Sequence, residues 1–327
     1  MPSILTITLN PAVDIATGVD RLLPQRKLRC DAPRFDPGGG GVNVSRAIKE
    51  LGGESLAFVV TGGRTGGQLR ELLDQTGLAC DFWEVAAETR FSFMAMEAAT
   101  GLHYRFVMPG TPLDADEGDR ILAHLSVQIE ASPGLVVASG SLPPGVPTDF
   151  YGRLATRCRE SGAKLIVDTH GEALSAAARC RPYLIRLNHL EAQELVGGTP
   201  DDAAHTLAGR LVEQGLAEAA IVTLGERGAV VASAAGMFEI RAPKVAMRSS
   251  VGAGDSFVAA LTVGLSRHWP LETAARYGVA AAAAAVTSEA TELCRRDIVE
   301  RLFAEIGGLA PGDELTPVKA GSRASAL

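Results

Sequence analysis

The chain has 327 residues, 46% hydrophobic and 5% aromatic, with 36 Gly and 17 Pro. That length allows a large buried core, and the turn-rich composition excludes a coiled coil or a disordered chain. Its 31 basic and 38 acidic side chains give a net charge of −7, which excludes a surface built to coat nucleic acid or an anionic membrane while leaving room for a local anion pocket. Five scattered cysteines, Cys30, Cys80, Cys158, Cys180 and Cys294, form no Cys-x-x-Cys pair and so point to neither zinc nor disulfides. The opening MPSILTITLNPAVD has no charged leader followed by a long apolar run, and the apolar stretch Val279–Val286 is far short of the roughly 20 residues that span a bilayer. A cytoplasmic protein with no membrane partner is expected.

In chain order, short apolar runs at Ile4–Leu9, Leu56–Val60, Leu135–Ala138, Lys164–Val167, Tyr183–Leu187 and Ala220–Thr223 read as buried parallel strands. Between them Val44, Ile48 and Leu51, then Leu69, Leu72 and Leu73, then Leu207, Leu211 and Val212 fall at helical spacing. The alternation predicts a doubly wound sheet with helices on both faces. Thr89–Val107 breaks the rhythm, with two period-two runs (Phe91, Phe93; Tyr104, Phe106) meeting at Thr100-Gly101. It reads as a hairpin that leaves the main sheet and pairs with residues around 12–34 as a small lid, or as an antiparallel edge added to that sheet. From Gly254 onward the pattern is almost wholly helical, over Asp255–Arg267, Leu271–Thr287 and Arg296–Ile306. The six alanines 280–285 favour a helix that packs closely on a ligand or on the sheet. After about Gly308 small and polar residues dominate, and fraying is expected.

Two glycine-rich turns carry the chemistry. Ser249-Ser250-Val251-Gly252-Ala253-Gly254-Asp255 runs straight into an apolar helical stretch. Its free N–H groups and the positive helix end form a site for phosphate or a developing negative charge. Asp255 there is either a plain helix cap or, with a sugar hydroxyl beside it, the base that removes the hydroxyl proton, a role contributing ~10²–10⁴ in rate. The second turn, Gly38–Gly41 followed by Asn43, is either a flexible turn or a close backbone approach to a sugar ring, with Asn43 holding hydroxyls. The absence of Gly-x-x-x-x-Gly-Lys-Ser/Thr excludes a P-loop, and no strand leads into Gly-x-Gly-x-x-Gly, which disfavours a dinucleotide-dependent oxidoreductase.

In this order and about 210 residues apart, the two turns resemble the signatures of the ribokinase-like sugar kinases, the phosphofructokinase B family, at Gly38–Ala47 and Ser250–Phe257. The likeness spans residues 1–305. It is nearest to the family's bacterial 6-phosphofructokinase branch through Lys27-Leu28-Arg29-Cys30, Tyr104–Gly110, Ser139–Gly145 and Gly171–Ala177. The resemblance implies an α/β fold: a ribokinase-like αβα sandwich, Rossmann-like with a mostly parallel sheet, over residues 1–308. It also implies a small β-sheet lid, formed by about 12–34 and 88–108, that joins two copies in a homodimer, with 309–327 as a flexible tail. The implied activity is transfer of the γ-phosphoryl group of ATP to the 1-hydroxyl of fructose 6-phosphate. The alternatives are a 1-phosphofructokinase, a tagatose-6-phosphate kinase, or a non-catalytic sugar-phosphate sensor.

On matching positions, the resemblance places Asp14, Gly39, Asn43 and Ser139 on the sugar hydroxyls. It places Lys27, Arg90 and Arg105 on the sugar phosphate, Lys27 reaching the neighbouring subunit's site. Asp255 is then the base, with Gly252, Ala253 and Gly254 supplying N–H groups. On the nucleotide side, Asn188 and Glu191 organise Mg²⁺ largely through water, Arg186, Thr223 and Gly225 meet the phosphates and ribose, and Val279 and Ala283 flank adenine. Several positions depart from the branch. Arg186 replaces its lysine and Met247 its serine. Ser288, Ala290 and Glu292 replace Asn, Gly and Arg in a loop that, with Ser249 and Val251, forms a K⁺ site. Weak or altered K⁺ dependence is expected.

Overall fold

The computed structural model describes residues 4–132, 134–249, 251–288 and 292–307; the expected tail at 309–327, together with Ser250 and Ala290, lies outside them. Thirteen strands are described: β1 Ile4–Thr8, β2 Ala12–Val19, β3 Arg34–Gly38, β4 Leu56–Gly62, β5 Ala79–Val85, β6 Arg90–Glu97, β7 Leu102–Val107, β8 Leu135–Ser139, β9 Lys164–Asp168, β10 Leu184–Asn188, β11 Ala219–Thr223, β12 Ala229–Ser233 and β13 Gly236–Ile240. The helices are α1 Gly40–Glu50, α2 Gly63–Thr76, α3 Glu117–Ala131, α4 Phe150–Ser161, α5 Gly171–Arg179, α6 His189–Val196, α7 Ala204–Glu213, α8 Ala253–Ser266, α9 Leu271–Ala285 and α10 Arg296–Glu305.

Nine strands form the main sheet in the order β13-β12-β11-β10-β9-β8-β1-β4-β5. Its seven central and far-edge strands are parallel, and β12–β13 closes the other edge as an antiparallel hairpin. The inner parallel strands are largely apolar because both faces are covered. In β8, Leu135 and Val137 pack toward α1, α8, α9 and α10, while Val136 and Ala138 pack toward α3, α4 and α5. The alanine run lies in α9 against α8, with Ala280, Ala281, Ala284 and Ala285 fully buried, so small side chains let the two helices approach closely. Among the described residues no helix is long and apolar enough to cross a membrane.

The remaining four strands form a separate sheet, β3-β2-β6-β7. Of the two readings of Thr89–Val107, the structure takes the first: β6 and β7 pair antiparallel, with Ser92 opposite Val107 and Glu97 opposite Leu102, and they join β2 through a parallel β2–β6 pairing. The antiparallel edge of the main sheet comes instead from residues 229–240, which the hydrophobic pattern did not single out.

The order of the main sheet positions the site. After β1 the chain builds outward through β4 and β5, then returns to place β8 on β1's other side. At such a reversal the connections leave the carboxyl ends of adjacent strands in opposite directions, and a crevice opens there. Ser139, Asp168, Asn188 and Thr223 are the last residues of β8, β9, β10 and β11, so four successive strands deliver a polar side chain to one edge.

Candidate active site

The crevice holds a cavity of about 290 Å³. Its floor is made of strand ends and helix starts: Ser139 and Gly140 after β8, Asp168 and Thr169 after β9, Arg186 on β10, Gly39, Gly40 and Asn43 at the start of α1, and Asp255 in the first turn of α8. The small sheet forms the roof with Asp14, Arg90, Ser92, Arg105 and Val107.

Close approach explains the glycine turn at α1. A Cβ on Gly40 would lie 2.8 Å from the Gly140 nitrogen and against the Ser139 hydroxyl, so only glycine lets the helix start meet the end of β8. At α8 the N-cap residue is Gly252, with φ of 73°, a left-handed conformation that a side chain would strain. The cap interpretation of Asp255 is therefore corrected. Asp255 makes no capping bond and lies in the first turn, where its Oδ2 accepts from Asn43 Nδ2 at 2.9 Å. The start of α8 keeps its backbone N–H groups available for an anion.

A network of side chains surrounds this carboxylate. Asp168 Oδ2 accepts from the Ser139 hydroxyl at 3.2 Å, and its Oδ1 accepts from Arg186 Nη1 at 3.1 Å. Arg186 Nη2 donates to Thr223 Oγ1 at 3.1 Å, so one guanidinium ties the ends of three strands. Gly140 is held from below, its carbonyl accepting from Tyr151 Oη at 3.2 Å and from Thr169 Oγ1 at 2.9 Å. Burial pushes Asp255 up to about 7; the nearby Asp168 charge adds to this, while the Asn43 hydrogen bond and Arg186 oppose it. In the roof, burial pushes Asp14 up to about 6 against the pull of Arg105 and Arg90. Arg90 is held by the carbonyls of Asn10 and Met108, which fixes its charge over the cavity.

Of the residues singled out from sequence, the cavity gathers Asp14, Gly39, Asn43, Arg90, Arg105, Ser139, Arg186, Glu191 and Asp255. Lys27 is exposed on the β2–β3 connection and does not line it. Asn188 and Glu191 form a reciprocal capping box at α6, with Glu191 N to Asn188 Oδ1 at 3.0 Å and Asn188 N to Glu191 Oε2 at 2.7 Å. Thr223 ends β11 and Gly225 follows it, and Val279 and Ala283 lie in α9, only 4% and 7% exposed. None of these four lines the cavity. Ser249 is buried and its hydroxyl accepts from Val251 N. Ser288 Oγ donates to the Leu293 carbonyl, and Glu292 sits 3.6 Å from Arg34; Met247 is exposed. Sequence reasoning missed Asp168, Thr169 and His170. The signal for Asp168 was a carboxylate ending a buried parallel strand.

The donor set fits a polyphosphate with a hard cation. Arg186 Nε is buried with no partner among the described residues, the start of α8 offers N–H groups, and Glu191 brings a carboxylate to the cavity.

A family model described as pfkB family carbohydrate kinase matches residues 7–298. The chain is 44% identical over 306 residues to the ATP-dependent 6-phosphofructokinase isozyme 2 of Mycobacterium tuberculosis, covering 92% of this chain and 89% of the relative. It is 33% identical to the 1-phosphofructokinase of Bacillus subtilis, covering 93% and 98%. Among solved structures, phosphofructokinase-2 from Escherichia coli superimposes with a TM-score of 0.88 in its complex with potassium and 0.87 in its complex with fructose-6-phosphate. Each is 38% identical and covers 94% of this chain and 100% of the matched one.

Because the folded Asp255 carboxyl is raised above its ordinary 3.8 to about 7, its ionisation costs more in the folded chain than in the unfolded one. Its contribution to stability is therefore present below about pH 4 and lost as pH rises through 7. Asp255→Asn removes that loss, so the variant gains more thermal stability over the parent at pH 8 than at pH 4. Melting curves at the two pH values check this, and an equal difference at both would contradict it.

Proposed function

Since the chain belongs to the pfkB family of carbohydrate kinases, we propose that it is an ATP-dependent 6-phosphofructokinase acting on the 1-hydroxyl of fructose 6-phosphate. The observation that carries this reading is the disposition of charge across one cavity. Two arginines, Arg90 and Arg105, stand in the roof, and a carboxylate poised near neutrality, Asp255, stands in the floor at a helix start. A sugar bearing a phosphate at one end and a free hydroxyl at the other bridges the two.

In this reading the arginines grip the 6-phosphate, while Asp14, Asn43, Ser139 and the Gly39 backbone hold the ring hydroxyls. Asp255 accepts the 1-hydroxyl proton as that oxygen bonds to the γ-phosphorus and the bond to the ADP leaving oxygen breaks. Arg186 and the N–H groups of Gly252, Ala253 and Gly254 stabilise the negative charge that grows on the phosphoryl oxygens. Thr223 and Gly225 lie along the triphosphate and ribose, and Val279 and Ala283 beside adenine. Magnesium, held through water by Asn188 and Glu191, neutralises charge on the phosphates when bound.

The outer side of the small sheet supports a homodimer. Phe106 and Met108 are 49% and 41% exposed, and with Phe93 and Pro109 they line a shallow apolar cavity. Such a patch on a twisted sheet is suited to a second copy of itself. Pairing there brings Lys27 of one copy to the roof of the other. The five free thiols fit a reducing cytoplasm.

Release of ADP from MgATP, measured with fructose 6-phosphate, fructose 1-phosphate, tagatose 6-phosphate and free sugars, ranks the acceptors by kcat/KM. Fructose 6-phosphate is expected first. A higher value for fructose 1-phosphate would make the chain a 1-phosphofructokinase, and binding without ADP release a sensor. In the same assay Asp255→Asn should lower kcat by ~10²–10⁴, and unchanged turnover would remove Asp255 from the chemistry. Phe106→Asp is expected to give monomers in sedimentation and to raise KM for fructose 6-phosphate about tenfold or more; a monomer with unchanged KM would separate Lys27 from the site. Ser288 and Glu292, engaged with Leu293 and Arg34, predict rates in KCl and tetramethylammonium chloride that agree within about twofold, and activation by K⁺ of about tenfold or more would contradict this.

A further inference from the structure

The contact between Asn43 and Asp255 depends on which end of the Asn43 amide faces the carboxylate. The two ends are alike in shape and opposite in function: one accepts, the other donates. Asn43 Nδ2 donates to Asp255 Oδ2 at 2.9 Å, and Asn43 Oδ1 accepts from Arg46 Nη1 at 3.3 Å, one turn along α1. The same Nη1 donates at 3.1 Å to the carbonyl of Pro37, the residue that leads into the glycine turn. One guanidinium therefore holds both the turn and the amide. Arg46 does not line the substrate cavity. It lines a different cleft, with Arg34, Lys49 and Glu50.

An arginine cannot lose its proton under these conditions, so Nη1 is always a donor. A flipped Asn43 would set its NH₂ against the guanidinium and its oxygen against the carboxylate, two repulsive contacts in place of two favourable ones. We propose that Arg46 is a positioning residue, fixing the Asn43 amide from outside the cavity so that its NH₂ always faces Asp255. Burial lowers the pKa of Arg46 from its ordinary value, and the carboxylates of Asp36, Asp14 and Asp255 act against this. These charges offset only part of the cost of enclosing an arginine behind the active site. The groups that face Asp255 are Asp168 from β9, Asn43 from α1, Arg186 from β10 and Asp14 from β2, with Arg46 behind Asn43. Loss of the Arg46 anchor frees the amide to turn, removes an NH₂ from the carboxylate and favours its protonated form.

The functional consequence rests on Asp255 being the base, so the test separates the two ideas. The Asp255 carboxyl is titrated by ¹³C NMR in the ligand-free full chain, with Asp255→Asn as the assignment control. kcat and KM are measured against pH with fructose 6-phosphate and MgATP. In Arg46→Met the Asp255 titration and the acid limb of kcat are both expected to rise by about half a unit or more. kcat at pH 7 is expected to fall about tenfold. Arg46→Lys, which keeps a charged donor, brings both back toward the parent. An Asp255 titration unmoved in Arg46→Met overturns the proposal, whatever happens to turnover. A titration that moves while the acid limb stays in place upholds Arg46 and removes Asp255 as the base. If Arg46→Met does not fold, Arg46→Lys decides: a titration within about 0.3 unit of the parent and kcat within about threefold support the role, and a displaced titration in a stable protein overturns it.

Discussion

A carboxylate held at the start of a buried helix, with another carboxylate close by, is the constraint on which the rest of this protein depends. Burial alone disfavours the charged form of Asp255, and Asp168 disfavours it further. The chain tolerates both because Asn43 and Arg186 supply a hydrogen bond and a positive charge in return. The result is a carboxyl held near neutrality, close to the balance between its charged and uncharged forms. Removing Asp168 from this set would unbalance two other groups as well, since Ser139 and Arg186 both donate to it. Strand ends, helix starts and buried charges therefore form one mutually dependent structure.

That structure needs two sheets. The parallel sheet can gather side chains only at its carboxyl edge, and a crevice with one wall leaves its ligand open to water. The small sheet closes the other side. It brings cations rather than another set of carboxylates: Arg90 is fixed by the Asn10 and Met108 carbonyls, and Arg105 stands on β7 opposite Met94. A chain of net charge −7 can in this way hold two anionic substrates, because the field that matters is set by a few groups within one Debye length of the ligand. Overall charge governs solubility and nonspecific contacts instead.

The alternation of strand and helix was legible because parallel strands covered on both faces are largely apolar. The runs at 4–9, 56–60, 135–138 and 164–167 fall on β1, β4, β8 and β9. Edge strands carry a weaker signal. β5 and β13 are largely half-exposed or exposed along their length, so residues such as Asp81 and Glu239 interrupt the pattern, and both strands went unread. The glycine turns were legible for a different reason: a helix start that meets a strand end allows no side chain, as at Gly40. Asp168 carried only a weak local signature, a carboxylate ending a buried strand. What makes it part of the site is its contact with Ser139, 29 residues away, and with Arg186, 18 residues away, and those meet only once the strands are ordered. Arg46 was hidden similarly, inside a helix where an arginine would ordinarily reach solvent.

The two walls differ in how firmly they are built, and the division has a chemical meaning. α8 is buried from Ser256 to Gly264, and α9 meets it through glycine and alanine, so the helix that carries Asp255 cannot shift without disturbing a close-packed core. Tyr151 and Thr169 likewise clamp Gly140 from beneath. The roof is less enclosed: Val13 of β2 packs on Val42, Leu69 and Leu73 of the main body, while the outer face carries exposed Phe106 and Met108. In the proposed reaction, proton removal and charge stabilisation demand fixed geometry, which the rigid floor would supply. Choosing among phosphorylated ketohexoses demands only that cations and hydroxyl partners meet one outline and not another, a task that the same proposal gives to the roof. Under that proposal, kinases acting on different sugar phosphates share the floor and differ in the small sheet, and acceptor preference is expected to be set at Asp14, Ser92, Arg90 and Arg105.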